Sequence, residues 1–285
     1  MTASALIRAT HLVSLMTVFG AGTYLFLIRR LSGPGRVPLL AMSLVALASA
    51  LLSFVLVTAN MTGDGHGTFA WPSLELVATQ SFFGRMFLVR IGLLAILVVV
   101  ASAWRRPAAT GLMAAMALAS LGLTSHAAAN GGRHWLAFAA NDAAHLLCAG
   151  FWLGGLMVIA LMLRQRKPDL VPALRIFSTW GTGAVALLVV AGTLNALAIV
   201  QADAARWSFD YMTVLGFKIV LAVIMIALAL ANRFSVSPAI ATGSETARNE
   251  LAWTVAGELG LGIVVVLLAA FLGMMPPMSM PTPME

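Results

Sequence analysis

The chain contains eight continuous apolar stretches, each long enough to cross a bilayer as a helix, at residues 9–28, 37–58, 82–103, 108–129, 143–163, 172–200, 212–231 and 251–274. A helix crossing about 30 Å of hydrocarbon needs roughly twenty apolar residues. Only helices and closed barrels satisfy their own backbone there. A barrel would be written as short alternating segments, whereas these runs are unbroken. With 61% hydrophobic and 9% charged residues, 285 residues cannot hide so much apolar surface in a soluble core. The expectation is an all-α polytopic membrane protein of eight transmembrane helices, one membrane domain over 1–285, embedded in membrane lipids.

The net charge of +7 points to topology, with no nucleic acid as partner. Of the 17 Lys and Arg residues, eleven fall near one set of helix ends, including Arg29, Arg30, Arg164, Arg166 and Lys167. Three (Arg8, Arg133, Arg206) flank the other set, and three (Arg85, Arg90, Lys218) lie within spans. The positive-inside rule makes the eleven-residue side cytoplasmic and places both termini in the periplasm. The first span has no convincing A-x-A cleavage site and is expected to be retained. The single cysteine, Cys148, excludes an internal disulfide and a Cys-x-x-Cys motif.

The chain also resembles itself. "HLVSLMTVFGAG" (11–22) lies on "HLLCAGFWLGG" (145–155), pairing His11 with His145 at an offset of 134. An offset of 128 pairs Arg90 with Lys218. Two parallel four-helix repeats, 1–135 and 136–275, are one reading, and chance alignment of apolar helices is the other.

Five histidines (His11, His66, His126, His134, His145) fall on or near the outer face. His11, His126 and His145 share a depth within the outer leaflet, so they are expected to converge. Imidazole suits copper, zinc, iron and nickel; the plainer reading is that each histidine bonds a nearby carbonyl. The end, "GMMPPMSMPTPME", forms a Met/Pro-rich tail (276–285) that with its approach holds Met274, Met275, Met278, Met280 and Met284. Thioether is a soft ligand that selects Cu(I), although methionine is also a common apolar filler.

Asp142 opens the fifth run, as a helix N-cap or as a carboxylate orienting His145 three residues on. Asn195 sits near the outer end of the sixth run, where it lines a polar path or bridges helices. Arg85, Arg90, Lys218 and Glu258 are costly within hydrocarbon unless paired. A structural ion pair of Glu258 with Lys218 or Arg90 is the expectation, with a proton relay as the alternative. Gly-rich "FGAG" (19–22) and "WLGG" (152–155) allow spans one and five to approach closely.

These residues carry a resemblance. "AHLLCAGFWLGGL" (144–156) resembles the His-then-Trp-x-Gly-Gly signature of the CopD/PcoD copper-resistance membrane proteins. "SHAAA" (125–129) is similar to that family's His-Ala element, and "TVLGFKIVLAVIMIALALANRF" (213–234) to its lysine-bearing helix ending in Asn-Arg. "NELAWTVAGELGLGIVVVLLAAFLGMMPP" (249–277) resembles its last helix, and "FFGRMFLVR" (82–90) has a counterpart in its first half. The resemblance implies an eight-helix inner-membrane protein that takes copper, as Cu(I) or Cu(II), from a separate periplasmic carrier of the CopC type and moves it into the cytoplasm. It carries His126 and His145 over as metal-associated positions.

The resulting expectation is a non-enzymatic copper transporter. Met275, Met278 and Met280 collect the ion, and His11, His126 and His145 bind it. Asp142, Asn195, Arg90, Lys218 and Glu258 support the site or the path inward. A haem-binding redox protein and a copper-delivery factor that does not transport are the rivals.

Overall fold

The computed structural model describes residues 2–34, 37–62, 71–103, 106–125, 132–202 and 208–275. All regular elements among them are helical: α1 (Thr2–Leu27), α2 (Leu39–Thr62), α3 (Trp71–Gln80), α4 (Phe82–Ala103), α5 (Pro107–Ala119), α6 (Trp135–Arg164), α7 (Leu170–Ala202), α8 (Phe209–Ala231), α9 (Ser237–Ala241) and α10 (Glu245–Leu272). Eight helices among the described residues have the length and hydropathy to cross a membrane, matching the eight apolar runs.

The first helix is central. It packs against α2, α5, α6 and α10 and belongs to two separate apolar cores. Leu12, Leu15 and Val18 pack with Ala46, Phe54, Phe87, Leu94 and Leu118 from α2, α4 and α5. One turn further, Ala21, Tyr24 and Ile28 pack with Phe151, Trp152, Ile159, Ala173 and Leu251 from α6, α7 and α10.

Glycine sets how closely α1 meets α6. A Cβ at Gly20 would sit 2.9 Å from the Gly154 Cα, and one at Gly154 would sit 2.6 Å from the Gly20 Cα. Such backbone contact supplies dispersion attraction where lipid removes the hydrophobic drive between helices. Gly22 meets Gly111 of α5 similarly, at 2.9 Å.

Several boundaries differ from expectation: α1 begins at Thr2 instead of residue 9 and α10 at Glu245 instead of residue 251. The fourth span, expected over 108–129, leaves the α-helix after Ala119 and ends in a 3-10 turn at Gly122–Thr124. There the Arg90 guanidinium takes the Ser120 carbonyl, and Gly122 lies close to α6, where a Cβ would come within 3.1 Å of the Ala143 nitrogen. The fifth span starts at Trp135 instead of residue 143, because "WLAFAAND" contains no glycine or proline to stop a helix. Between the expected runs 37–58 and 82–103 lies a further short helix, α3, which buries Leu74 and Val77. The inner loop 232–250 holds a π-helical turn (Asn232–Val236) and α9. Ser244 then caps α10 by accepting the Ala247 amide at 3.2 Å.

On the face carrying the basic loops, Asp169 accepts the Ser32 amide at 2.7 Å. That bond joins the loops after α1 and α6, and it holds the Asp169 carboxyl below the ordinary carboxylate range.

Candidate functional site

Three polar clusters interrupt the apolar interior. Two lie toward the histidine-bearing face and one toward the basic-loop face.

The first is built around His11, which is 6% exposed on α1. Its Nδ1 lies 2.9 Å from the Ala46 carbonyl of α2 and 3.4 Å from Ser49 Oγ. A carbonyl only accepts, so Nδ1 carries the hydrogen and Nε2 keeps the lone pair in the neutral ring. Nε2 is buried and bonds no protein atom. Nearby, Arg90 of α4 is 2% exposed. Its Nε donates to Ser120 Oγ at 3.0 Å. Its Nη2 donates to the Ser120 carbonyl at 2.9 Å and to Thr124 Oγ1 at 3.1 Å. The guanidinium carbon lies 5.3 Å from the Phe87 ring centre, a cation–π distance. Thus Arg90 is satisfied by carbonyl, hydroxyls and ring, and it caps the interrupted end of α5. Arg8 donates to the Gly273 carbonyl at the end of α10, at 2.9 Å, and acts electrostatically on both His11 and Arg90.

The second cluster joins α6, α7 and α8. Asn141 donates to Asn195 Oδ1 at 2.7 Å and to the Ala191 carbonyl at 3.0 Å. Asn195 in turn donates to Asp142 Oδ1 at 2.6 Å. Asp142 lies seven residues inside α6, which starts at Trp135, so it is not an N-cap. His145, one turn further, faces α7 beside Gly192, where an added Cβ would come within 3.2 Å of the imidazole Cε1. Its Nδ1 is buried without a protein partner. Lys218 of α8 acts electrostatically on both His145 and Asp142.

The third cluster surrounds Glu258, 1% exposed on α10. Its Oε1 accepts from Asn232 Nδ2 at 2.7 Å, and its Oε2 accepts from Trp152 Nε1 at 3.2 Å. The expected ion pair with Lys218 or Arg90 is replaced by these two neutral donors. Arg90 is committed to α5, and Lys218 sits fourteen residues before Asn232, about 20 Å along a helix.

The candidate residues are thus distributed rather than gathered. His11 turns to α2 and His145 to α7. Among the described residues, no group of three or more His, Cys, Asp or Glu is arranged to hold a metal ion. Met275 follows the end of α10, its amide bonding the Leu272 carbonyl at 3.2 Å. His126, Met278 and Met280 lie outside the described residues.

The structure adds Asn141, Gly192, Ser120, Thr124 and Thr254 to the polar or closely packed positions expected from the sequence. It also gives partners to Trp152 and Asn232, which stand within the quoted motifs, and to Arg233, one of the eleven basic residues near one set of helix ends. The adjacency of Asn141 to Asp142 was a usable signal. The hydroxyls were not, because Ser and Thr are scattered through every span.

Comparison with known proteins adds to this geometry. Residues 171–272 match the family described as "Copper resistance protein D", and residues 1–135 match "Copper resistance protein D-like, N-terminal domain". The chain is 34% identical over 298 residues to "Copper resistance protein D" of Pseudomonas syringae pv. tomato, covering 95% of this chain and 96% of that one. It is 27% identical over 282 residues to "Inner membrane protein YebZ" of Escherichia coli, covering 95% and 97%. It is 29% identical over 147 residues to "Copper transport protein CutJ" of Bacillus subtilis, covering 50% of this chain and 26% of that protein. No solved structure matches the chain.

Proposed function

Because this chain belongs to the copper resistance protein D family, we propose that it serves copper resistance as a multi-pass inner-membrane transporter that moves copper from periplasm to cytoplasm. The observation that carries this reading is a pair of imidazoles, His11 buried on α1 and His145 half-buried on α6, that each keep one buried ring nitrogen free of protein partners. A neutral imidazole nitrogen is a ligand for copper. Burying one without a hydrogen bond is unfavourable unless it has another use.

In this reading copper is cargo. Met275, Met278 and Met280 collect it on the periplasmic side, where a separate carrier of the CopC type delivers it. His145 receives it, with His126 and His11 as further ligands along the same leaflet. Asn195 holds Asp142 in place, and Asp142 with Lys218 sets the charge beside His145. No nucleotide-binding loop is written in the sequence. An interior-negative potential favours inward movement of a cation by about 2.3 kcal/mol per charge per 100 mV.

Copper uptake into sealed proteoliposomes tests the reading. The parent protein should load copper, and His145→Ala should not. Binding without flux would favour a copper-delivery factor, and a strong Soret band in the purified protein would favour a haem protein. The CutJ similarity, to a protein named for copper transport, supports flux over delivery.

A further inference from the structure

A cavity of about 290 Å³ opens between α7 and α8, with Glu258 and Trp152 in its lining. The two helices flank it from opposite sides, since α7 packs on α6 and α8 on α10. One water needs about 10–15 Å³ by the same measure and two to four polar partners, which this mostly apolar lining offers at Glu258, Asn232, Ser178, Thr182 and Ser237. Glu258, Asn232 and Trp152 make one polar end. Toward the basic loops, Arg233 donates to the Ser178 carbonyl at 3.1 Å and to Thr182 Oγ1, bridging the π-helical turn to α7. A π-helical turn within a helix often marks a functional position, and here it presents Asn232 to the carboxylate.

The donor set decides what Glu258 can hold. Indole N–H has no lone pair to offer. Asn232 Oδ1 accepts from Thr254 Oγ1 at 2.7 Å, which turns Asn232 Nδ2 toward Glu258. A hard cation expects about six or more oxygens and would find little beyond the two carboxylate oxygens. A soft one expects sulfur or imidazole, and the residues lining the cavity include no Met, Cys or His. A proton needs one oxygen lone pair.

We propose that Glu258 is a proton-binding centre, reached by water through this cavity from the basic-loop face. A proton from that water forms an O–H bond on one carboxyl oxygen, and the reverse step returns it to water. Ionised, the carboxylate accepts from both Trp152 and Asn232. Protonated, it becomes a donor at one oxygen and loosens its hold on Asn232, next to the Arg233 bridge. The assignment stands independently of copper.

Few other charges bear on it. Among the residues lining the cavity, only Glu258 and Arg233 carry titratable or charged side chains. Arg248 and Glu250 precede Glu258 on α10 by at least two turns, and Arg175 of α7 is exposed one turn before Ser178. On α6, His145 and Arg164 lie seven and twelve residues from Trp152, and on α8 Lys218 lies fourteen from Asn232. Tyr24 of α1, whose ring packs on Phe177, donates its hydroxyl to the Ala173 carbonyl.

Infrared difference spectroscopy across pH, on the full chain in lipid vesicles, reads the protonated carboxyl directly. The parent should show a pH-dependent carboxylic-acid band that shifts in D₂O, and Glu258→Gln should lose it. Asn232→Ala and Trp152→Phe each remove a donor to the ionised form, so the band should persist to higher pH in both. Changing pH on the basic-loop side alone should move the band. Three results would overturn the assignment: a band that survives Glu258→Gln, no titrating band in the parent, or a band answering only to the opposite side. If Glu258→Gln fails to insert, unshifted midpoints in both donor variants overturn it as well.

Discussion

At the scale of single residues, His145 and its neighbours divide the labour of the candidate site. The imidazole keeps Nδ1 free, while Asp142, already inside α6, is bonded by Asn195. His145→Ala is expected to abolish copper uptake while leaving the protein inserted, since alanine suits a membrane helix. Asp142→Asn keeps the shape and removes the charge. Changes of this supporting kind cost about 10- to 100-fold in metal affinity, so a partial loss is expected in equilibrium copper binding. If His145→Ala takes up copper like the parent, the imidazole is a packing group and the proposed route is wrong. Replacing Met275, Met278 and Met280 together with leucine should weaken uptake at scarce copper and leave the maximal flux unchanged. An unchanged concentration dependence would show that the tail plays no part in capture.

At the scale of elements, the α1–α6 crossing is the most demanding contact. Gly154→Ala drives a Cβ against the Gly20 backbone, and overpacking of this kind costs about 1–3 kcal/mol. Gly216→Ala on α8 meets nothing within 4 Å and should be close to neutral. Thermal unfolding in detergent compares the two, and equal midpoints would mean that the crossing relaxes freely. The tether between the loops after α1 and α6 depends on pH. Its carboxyl is held below the ordinary value, so the tether is present above the ordinary carboxylate pKa of about 4. It is lost as pH falls through the lowered one. Asp169→Asn should therefore speed hydrogen exchange at the Ser32 amide near neutral pH and make no difference in strong acid.

At the scale of the whole molecule, the two halves invite a proposal of parallel repeats related by an axis along the membrane normal. His11 and His145 share the 134 offset, and so do Gly20 and Gly154, which touch one another at the centre. A two-fold axis passing near a contact must bring equivalent residues together there, as this pair does. Arg90 and Lys218 each act electrostatically on the histidine of their own half. The halves differ in charge: Arg90 relies on hydroxyls, a carbonyl and a ring, whereas Lys218 has Asp142 within electrostatic range. That difference favours the second half for receiving a cation. The proposed orientation, with both termini periplasmic, predicts that a reporter active only in the periplasm works when fused to the C-terminus. It should be silent when fused into the loop after α6.

The class of fold follows from the residues alone, because the need to satisfy a backbone in hydrocarbon admits one structure for runs of this length. The sequence also marked the close approach of α1 and α6 through "FGAG" and "WLGG", and it singled out Glu258 as a group in need of partners. The tertiary structure decided who those partners are. Asn232 and Trp152 reach the carboxylate from two different helices, and residue spacing along one chain carries no information about which helices become neighbours. The same holds for the histidines. Their shared depth follows from counting residues, but the direction in which each imidazole turns, His11 to α2 and His145 to α7, follows from helix rotation set by packing on both sides.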